Sequence, residues 1–379
     1  MKFVDGVAAA WRVALLLCAG LGAGVAAQPS AADAQTADWR SVWDSTVTAA
    51  TKEGKVACGC PQHPGSRQFL TSQWQKDYPG ITLVYTPAVQ PAWPARVAAE
   101  REAGKFLWDV YFSGPGPGIY RFAHENTLAP LLPALILPDV KDPATWGGWG
   151  NAFFDIAKAR LFSFWSNLST GWYNPALVPP EKVKAAGMKV LLDPAYKDKI
   201  VWWDPRVGGS GINFAFFLHR KFGEQALRTV LVDQNAIIVA DPNSMVTRMV
   251  RGTAAISLGP DLEEPLTPYK KEGAATDLRR FGDTGDVAML GSGYGIAGIF
   301  NRAPDPNAAK VFINWLLSKP IQEGLAKAAK VNSRRVDVPP NPEAGPRALR
   351  GETYLTPQME EFADERDKVM ALTRQMRPE

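Results

Sequence analysis

Predicted strands and helices alternate in the first third of the chain, and this alternation restricts the fold more than any other sequence feature. Strands are predicted at 55–58, 81–85 and 108–112, with helices at 66–78 and 96–104 between them. Each strand runs into a loop of glycine or polar residues. Strands joined in this way pair in parallel and direct their carboxyl-end loops toward a ligand, so the pattern predicts an α/β fold.

A second round of the pattern follows, with strands predicted at 199–203, 236–240 and 252–259. Extended segments at 161–175 and 287–297 stand before and after it. The chain has 379 residues and 46% hydrophobic composition, which is enough for two domain cores. We therefore predict two lobes, each with a central mixed, mostly parallel sheet, joined by a hinge of two crossing strands.

The loop Gly208-Gly209-Ser210-Gly211 joins one of these strands to an apolar helix that begins near Ser210 or Gly211. A phosphate-binding P-loop needs Lys and then Ser or Thr after its last glycine, and a nucleophile elbow needs glycine two residues on either side of serine. Ile212 stands at the deciding position in both cases, so neither enzyme motif fits. Free N–H groups at the helix start would suit a carboxylate or phosphate, and a ligand-free tight connection is the alternative.

The first residues have the pattern of an export signal. Lys2 and Arg12 precede an uncharged apolar run at 13–27, which ends in the small residues Val25-Ala26-Ala27. The run is shorter than the roughly 20 residues of a membrane-spanning helix. We predict a signal peptide at 1–27, cleavage before Gln28, a flexible lead-in at 28–37 and export to the periplasm.

Charge and cysteine content exclude several classes of partner and site. Loss of residues 1–27 changes the formal charge only from +4 to +3, so no nucleic-acid partner is expected. Cys58 and Cys60 then remain, either bridged or as two free thiols. With three histidines in the chain, this cysteine pair lacks further ligands for a metal site.

The order of short motifs along the mature chain resembles the periplasmic solute-binding proteins of ABC importers, in the family 1 group that includes ferric-iron-binding proteins. No single motif is specific, but their order and spacing cover nearly the whole mature chain. They are Glu53-Gly54-Lys55-Val56, Asp77-Tyr78-Pro79-Gly80-Ile81, Glu100-Arg101-Glu102-Ala103-Gly104-Lys105 with Trp108-Asp109-Val110, Tyr173-Asn174-Pro175, Leu191-Leu192-Asp193-Pro194-Ala195-Tyr196-Lys197, Asp204-Pro205-Arg206 with Gly209-Ser210-Gly211, Val250-Arg251-Gly252, and Ala308-Ala309-Lys310-Val311-Phe312-Ile313-Asn314-Trp315-Leu316.

The resemblance implies a type II periplasmic binding fold, with a ligand in the cleft between two α/β lobes that close like a hinge. It implies as partners a small-molecule solute and the permease and ATPase of the inner membrane, with the binding protein itself a monomer. We place the first part of lobe 1 at 38–165 and lobe 2 at 166–290. Residues 291–379 are expected to return to lobe 1 and to add C-terminal helices that pack on either lobe.

The iron-binding members of this group hold the metal with a histidine, a carboxylate and a tyrosine pair. His63 matches the histidine, but Gly114 stands in place of the carboxylate, and Leu258-Gly259-Pro260-Asp261 replaces the tyrosine pair. Ferric iron needs such anionic oxygen donors, so we expect no metal and no cofactor. A ferric-iron-binding protein is kept as an alternative function.

Without the metal ligands, the cleft should hold a small organic solute, with an anion favoured by the glycine loop. Tryptophans could equally form core, and they leave sugars and amines open as ligands. The predicted ligand-binding residues lie at strand ends, at the two crossings and at outer positions: His63, Ser66, Ser113, Gly114, Trp165, Ser166, Trp202, Gly209, Ser210, Gly211, Asp241, Ser244, Asp261, Ser292 and Tyr294.

Two other function classes compete with solute import. A secreted hydrolase would need a nucleophile, a base and an orienting acid, and the three histidines stand in no recognised catalytic spacing. We therefore predict no catalytic residues and no enzyme activity. A ligand-loaded partner of a sensor would use the same cleft, and sequence does not separate this role from import.

Overall fold

The computed structural model describes residues 31–150, 152–274, 277–349 and 351–378. The predicted signal peptide and its cleavage point before Gln28 lie outside these residues. The chain divides into two compact units at Asp38, and everything that follows concerns the second unit, Trp39–Glu379. Within the described residues, no helix is both long enough and apolar enough to cross a membrane.

The α-helices are α1 (Ala31–Glu53), α2 (Pro64–Asp77), α3 (Ala92–Glu102), α4 (Pro117–His124), α5 (Pro138–Lys141), α6 (Pro180–Ala186), α7 (Ser210–Arg228), α8 (Pro242–Val250), α9 (Glu263–Lys271), α10 (Pro306–Leu317), α11 (Lys319–Ala329) and α12 (Ala363–Met376). Short 3₁₀ segments lie at Leu132–Ala134, Pro143–Trp146, Gly187–Leu192, Pro194–Tyr196 and Glu360–Phe362, and a π-helical turn lies at Thr229–Asp233. The strands are β1 (Lys55–Cys60), β2 (Thr82–Pro87), β3 (Val110–Ser113), β4 (Leu128–Ala129), β5 (Phe162–Ser163), β6 (Asn167–Thr170), β7 (Trp172–Tyr173), β8 (Ile200–Trp203), β9 (Ile237–Val239), β10 (Ile256–Leu258), β11 (Arg279–Arg280), β12 (Ala288–Gly291) and β13 (Ile296–Phe300).

The first sheet has the strand order β2-β1-β3-β13-β4, with β5 also paired to β13. Strand β1 is parallel to both β2 and β3, whereas the returning strand β13 is antiparallel to β3. Helices α10 and α11 supply apolar side chains to the core on one face of this sheet. The sheet is therefore mixed, and the parallel pairing predicted from the first strand–helix alternation is confirmed.

The second sheet has the order β11-β7-β10-β8-β9, with β8 parallel to β9 and β10. Helix α7 covers it with a buried apolar run that includes Phe214, Phe216 and Phe217. The helix runs past a kink at Gly223, whose positive φ lets the chain bend. Together, the two sheets confirm the predicted α/β class with two lobes.

Strands β6 and β12 pair antiparallel and form a separate two-stranded sheet between the two larger ones. Along the chain, β6 stands between β5 of the first sheet and β7 of the second. Likewise, β12 stands between β11 of the second sheet and β13 of the first, so both strands connect the two larger sheets. The C-terminal segment adds a bridge on each outer edge, Asn167 to Arg347 and Met289 to Leu355. The predicted two-strand crossing is thus present, with flanking pairs that the sequence did not indicate.

The stretch from Gly59 to Gly65 was expected to be irregular throughout, and this was wrong at both ends. Strand β1 continues to Cys60, and helix α2 already begins at Pro64. A Cβ atom at Gly59 would lie only 2.2 Å from the Trp93 ring, so glycine lets this indole pack directly on the strand. Proline fits the first turn of a helix because the missing N–H would have no partner there.

Cys58 and Cys60 are disulfide-bonded, which resolves the alternative left open by their spacing. Their Cα atoms are 5.5 Å apart, and both residues are fully buried in β1. Next to them, the buried Asp109 carboxylate accepts hydrogen bonds from the backbone N–H groups of Ala57 and Asp305, at 2.7 and 2.8 Å. These bonds tie β1 and the entry to α10 to the beginning of β3.

The last helix packs on the second sheet's side of the molecule. Val369 of α12 is fully buried in the same core as the α7 phenylalanines. Just before α12, the segment passes the first sheet, where Met359 joins the core of α3 and α4 and Glu360 accepts from the Ile156 N–H at 2.7 Å. The C-terminal segment therefore contacts both larger sheets.

Candidate functional site

The glycine loop between β8 and α7 is shaped by two glycines with different tasks. Gly209 has φ +118°, a conformation that L-residues rarely adopt, and it precedes the helix without any side-chain cap. Gly211 packs against the backbone of β8's end, where a Cβ would lie 2.1 Å from the Trp203 carbonyl oxygen. Helix α7 begins at Ser210, as predicted, with its first N–H groups left uncapped by side chains.

A cavity of about 180 Å³ lies at this helix start and is closed by three parts of the chain. The loop after β3, the glycine loop with the start of α7, and α12 with the residue Gln358 all line it. Its lining is Pro115, Gly116, Pro117, Tyr120, Gly208, Gly209, Ile212, Asn213, Gln358, Arg366, Asp367 and Met370. Of the predicted ligand-binding residues, Gly209 is the one that belongs to this lining.

His63 is the N-cap residue of α2, and Ser66 lies in the first turn of that helix. The Nδ1 atom of His63 accepts from the Ser66 backbone N–H at 3.1 Å, and the Ser66 hydroxyl lies 3.2 Å from the same atom. Ser66 is fully buried and His63 half-buried. Burial lowers the pKa of His63, Lys330 lowers it further, and the nearby Glu264 carboxylate of α9 raises it.

We expect His63→Ala to lower the free energy of unfolding by about 1 kcal/mol near pH 8, the usual contribution of a helix cap. The Nδ1 atom accepts a hydrogen bond only in the neutral ring, and the lowered pKa means that the folded state disfavours protonation. The stabilisation should therefore be present above pH 6.5 and be lost as the pH falls from there through the lowered folded-state pKa. Urea denaturation between pH 5 and 8 measures this. His63→Asn keeps a capping side chain without a titrating ring, so its stability relative to His63→Ala should not change with pH.

Ser113 is the last residue of β3 and Gly114 follows it, and Tyr294 comes close to Gly114 from the loop before β13. A Cβ at Gly114 would lie 3.3 Å from the Gly293 carbonyl oxygen and 3.5 Å from Cδ1 of Tyr294. Ser113 is buried, whereas Tyr294 has 52% of its surface exposed. Two of the predicted site residues, Gly114 and Tyr294, are thus neighbours at the edge of the first sheet.

At the two crossings, the predicted residues are largely buried. Trp165 keeps 2% of its surface exposed and lies against Gly293 and Gly295, which leave room for its ring. Ser166 is also buried, and the fully buried Ser292 has its backbone N–H bonded to Oε1 of Gln358 at 3.1 Å. Ser292 therefore positions Gln358, which lines the cavity and which the sequence did not single out.

Trp202 was predicted to line the cleft, and this was wrong. Its ring is fully buried in the core of the second sheet, and its Nε1–H donates to the Gly211 carbonyl at 3.2 Å. The next residue, Trp203, points to the other face and is half-buried beside Gly209. Successive strand residues face opposite sides of a sheet, and the sequence did not show which of the two tryptophans faces inward.

The outer candidates Asp241, Ser244 and Asp261 have structural partners. Asp241 caps α8 by accepting from the backbone N–H of Ser244 at 2.8 Å. Asp261 accepts from the Glu263 N–H at 2.9 Å and from the Arg280 guanidinium at 2.9 Å. Asp261 therefore caps a turn and is also paired with Arg280.

Buried polar atoms without a hydrogen-bond partner within the described part of the chain occur on both larger sheets. The Nε1–H of Trp165 and the Nε and Nη2 groups of Arg334 are shielded from solvent and have no hydrogen-bond partner within the described part of the chain. The sequence analysis missed Arg334, because it stands beside Arg335 in a region without periodicity. Among the described residues, no group of three or more His, Cys, Asp or Glu side chains is placed to hold a metal ion.

The sequence matches no protein-family model, and it matches no curated protein. Solved structures do resemble it. Iron-bound HitA from Pseudomonas aeruginosa aligns with a TM-score of 0.61 and 15% identity, covering 85% of this chain and 99% of that one. A Trichodesmium protein (IdiA, FutA) in complex with iron and citrate aligns with 0.65 and 15%, covering 86% and 99%.

The periplasmic binding protein AfuA from Actinobacillus pleuropneumoniae, with bound fructose-6-phosphate, aligns with a TM-score of 0.54 and 17% identity, covering 85% of this chain and 98% of that one. These alignments extend over nearly the full length of the solved proteins. The chain therefore has the two-lobed fold of the periplasmic binding proteins, and the resemblance inferred from its motifs is confirmed at the level of the fold.

Proposed function

We propose that this chain is the periplasmic solute-binding component of an ABC importer and that it captures a small organic anion between its two lobes. The proposal rests on the fold together with one observation. The uncapped start of α7 faces the loop after β3 across a cavity of about 180 Å³. Uncapped helix N–H groups with a positive dipole end favour anionic ligands.

The proposed mechanism is capture by relative movement of the lobes about strands β6 and β12. We assign residues 38–165 and 166–290 to the first and second lobe, and 291–379 to the return into the first lobe with the C-terminal helices. The loaded form would then dock on a membrane permease. No group in the proposed mechanism transforms the solute, and the protein would act as a monomer.

An organic ligand is favoured over ferric iron by the chemistry of the residues in place. Two of the similar structures contain iron and one contains a sugar phosphate, so the fold accommodates both kinds of ligand. Gly114 and the Leu258–Asp261 segment supply none of the anionic donors that ferric iron requires, apart from Asp261, which is paired with Arg280. Delivery of a loaded ligand to a sensor is compatible with the same cleft, and co-purification with a permease would separate the two roles.

The function is tested by thermal shift of the mature protein against organic acids, phosphonates, polyamines, sugars and ferric citrate. A stabilising organic anion, followed by calorimetric titration, is the expected result. Stabilisation by ferric iron alone would refute the organic-solute proposal, and stabilisation by no compound of the panel would count against solute capture.

We expect Ser210→Trp to abolish binding of the stabilising compound while leaving the unfolding temperature nearly unchanged. Ser210 stands between Gly209 and Ile212, which both line the cavity, so a large ring there would disturb its wall, and the Ser210 side chain makes no hydrogen bond among the described residues that the fold would lose. Ser72→Trp, on the exposed face of α2, is the matched control and should bind normally. Undiminished affinity in Ser210→Trp would remove the glycine loop from the binding site.

A further inference from the structure

The C-terminal helix α12 forms part of the cavity at the start of α7, and two of its lining residues are Arg366 and Met370. They are four positions apart, so they lie on the same side of the helix. Val369 is fully buried in the core of the second sheet, and the buried Thr373 donates its hydroxyl to the Pro205 carbonyl at 3.2 Å. Helix α12 is thus fixed beside the end of β8, with Arg366 at the cavity.

The Arg366 guanidinium has no anionic partner among the described residues. Its Nη1 donates to the Pro357 carbonyl at 2.7 Å, and the other N–H groups of this half-buried side chain have no partner in that part of the chain. The neighbouring Asp367 also lines the cavity, but it is exposed, and water screens its charge. A guanidinium stays charged at neutral pH, so this part of the cavity favours an anion.

The bond to Pro357 ties the guanidinium to the segment that forms one wall of the cavity. The next residue, Gln358, lines the cavity, and its backbone carbonyl accepts from the hydroxyl of Tyr120, which lines the cavity as well. The Gln358 side chain is oriented by the Ser292 N–H, which can only donate, so Oε1 must face it at 3.1 Å. The Gln358 amide NH₂ therefore points away from Ser292 and has no acceptor within the described residues.

The rest of the lining has little polarity, and the space is small. Apart from Asn213 and the exposed Asp367, the other lining residues are prolines, glycines, Tyr120, Ile212 and Met370. The volume of about 180 Å³ is that of about six water molecules in the liquid. A solute that fits is therefore small, with one charged end and a short apolar body.

We propose that Arg366 binds the oxyanion of the solute, so that the C-terminal helix supplies the residue that selects small carboxylates or phosphonates with an apolar body. This inference rests on the proposed function and names its substrate class. The planar guanidinium offers parallel N–H donors that match two oxygens of an oxyanion, which a sugar or a polyamine lacks. The Gln358 amide adds a neutral donor to the same cavity, and the apolar lining disfavours a solute that carries many hydroxyl groups.

The test is calorimetric titration of the full mature chain with benzoate, methylphosphonate and benzamide, which is a neutral probe with the shape of benzoate. We expect at least one of the two anions to bind the wild type and benzamide to bind at least about 10-fold more weakly than benzoate. Arg366→Met should weaken the bound anion at least about 10-fold, since hydrogen bonds between charged groups are lost. Arg366→Lys keeps the charge without the parallel donors and should lose less.

Lys368→Met is the matched control, because it removes a charge of the same sign from an exposed position of the same helix. It should bind the anions like the wild type, and an equal loss in Lys368→Met and Arg366→Met would refute a direct contact. The free Arg366→Met protein should unfold within a few degrees of the wild type, because the fold loses one hydrogen bond. Arg366→Lys can still donate to the Pro357 carbonyl, so it keeps the test valid if Arg366→Met unfolds.

Unchanged anion affinity in Arg366→Met, or no binding of either anion to the wild type, would overturn the assignment. An organic solute from the thermal-shift panel that binds Arg366→Met as tightly as the wild type would refute this inference while solute capture stands. If the two probes bound through Arg366 but no organic compound of the panel bound more tightly, the anion site would stand and solute capture would fail.

Discussion

Replacing Gly211 with alanine should destabilise the protein by about 3 kcal/mol, because overpacking against groups that cannot move aside is costly. A Cβ at this position would lie 2.1 Å from the Trp203 carbonyl oxygen and 2.7 Å from that of Asp204. Both are backbone atoms at the end of β8, so either the strand or the start of α7 has to shift. The same shift would displace the N–H groups at the cavity, and solute affinity should fall together with stability.

Gly208→Ala is the matched control for this prediction. A Cβ at Gly208 would meet no atom within 4 Å, although the residue stands in the same loop and lines the same cavity. Chemical denaturation of both variants should show a clear loss for Gly211→Ala and almost none for Gly208→Ala. Equal stability of the two would contradict the close packing of α7 on the end of β8.

Arg335→Met should also lower the free energy of unfolding by about 3 kcal/mol, since hydrogen bonds to charged groups contribute about 1.5–3 kcal/mol and the Leu317 carbonyl would lose its partner. The Arg335 side chain keeps 1% of its surface exposed and joins the end of α10 to the half-exposed Asp139 and Asp337. It also lies over the Trp146 ring, with 5.4 Å to the centroid. The residue therefore holds several segments of the first lobe together.

Two other arginine variants serve as controls for the stability measurement on Arg335→Met. Arg279→Met removes an exposed arginine paired with the exposed Asp277, and solvent screening leaves such surface pairs with little effect on stability. Arg334→Met, one residue away, is expected to cause no loss at all. If Arg335→Met proved as stable as Arg279→Met, the buried network around Arg335 would have no structural role.

The order of strands and helices could be predicted from the sequence wherever the hydrophobic pattern of a segment determines its secondary structure. The strand–helix alternation gave parallel pairing in both sheets, and the apolar run after Ser210 gave the start of α7, because burial of one face imposes a period on the sequence. The crossing strands were found because they stand before and after the second round of alternation.

The remaining features depend on partners distant in the chain. The Asp261 carboxylate forms an ion pair with Arg280. Trp202 rather than Trp203 is buried because α7 packs on the face of the sheet that carries Trp202. Arg334 and Arg335 are neighbours in the sequence, yet their side chains differ. The Arg335 guanidinium is fully hydrogen-bonded, whereas the Nε and Nη2 groups of Arg334 have no partner among the described residues. The segment 345–358 carries no periodicity, because it joins the hinge through single bridges rather than a ladder.

The course of the C-terminal segment has a practical consequence for observing the two lobes. Helix α1 packs on the first sheet's core through Ala50, whereas α12 packs on the second sheet's core through Val369. The beginning and the end of the second compact unit therefore belong to different lobes. A fluorescent donor and acceptor attached near Trp39 and near Arg377 would report the separation of the lobes in single molecules, with no label inside the cleft and no change to Cys58 or Cys60.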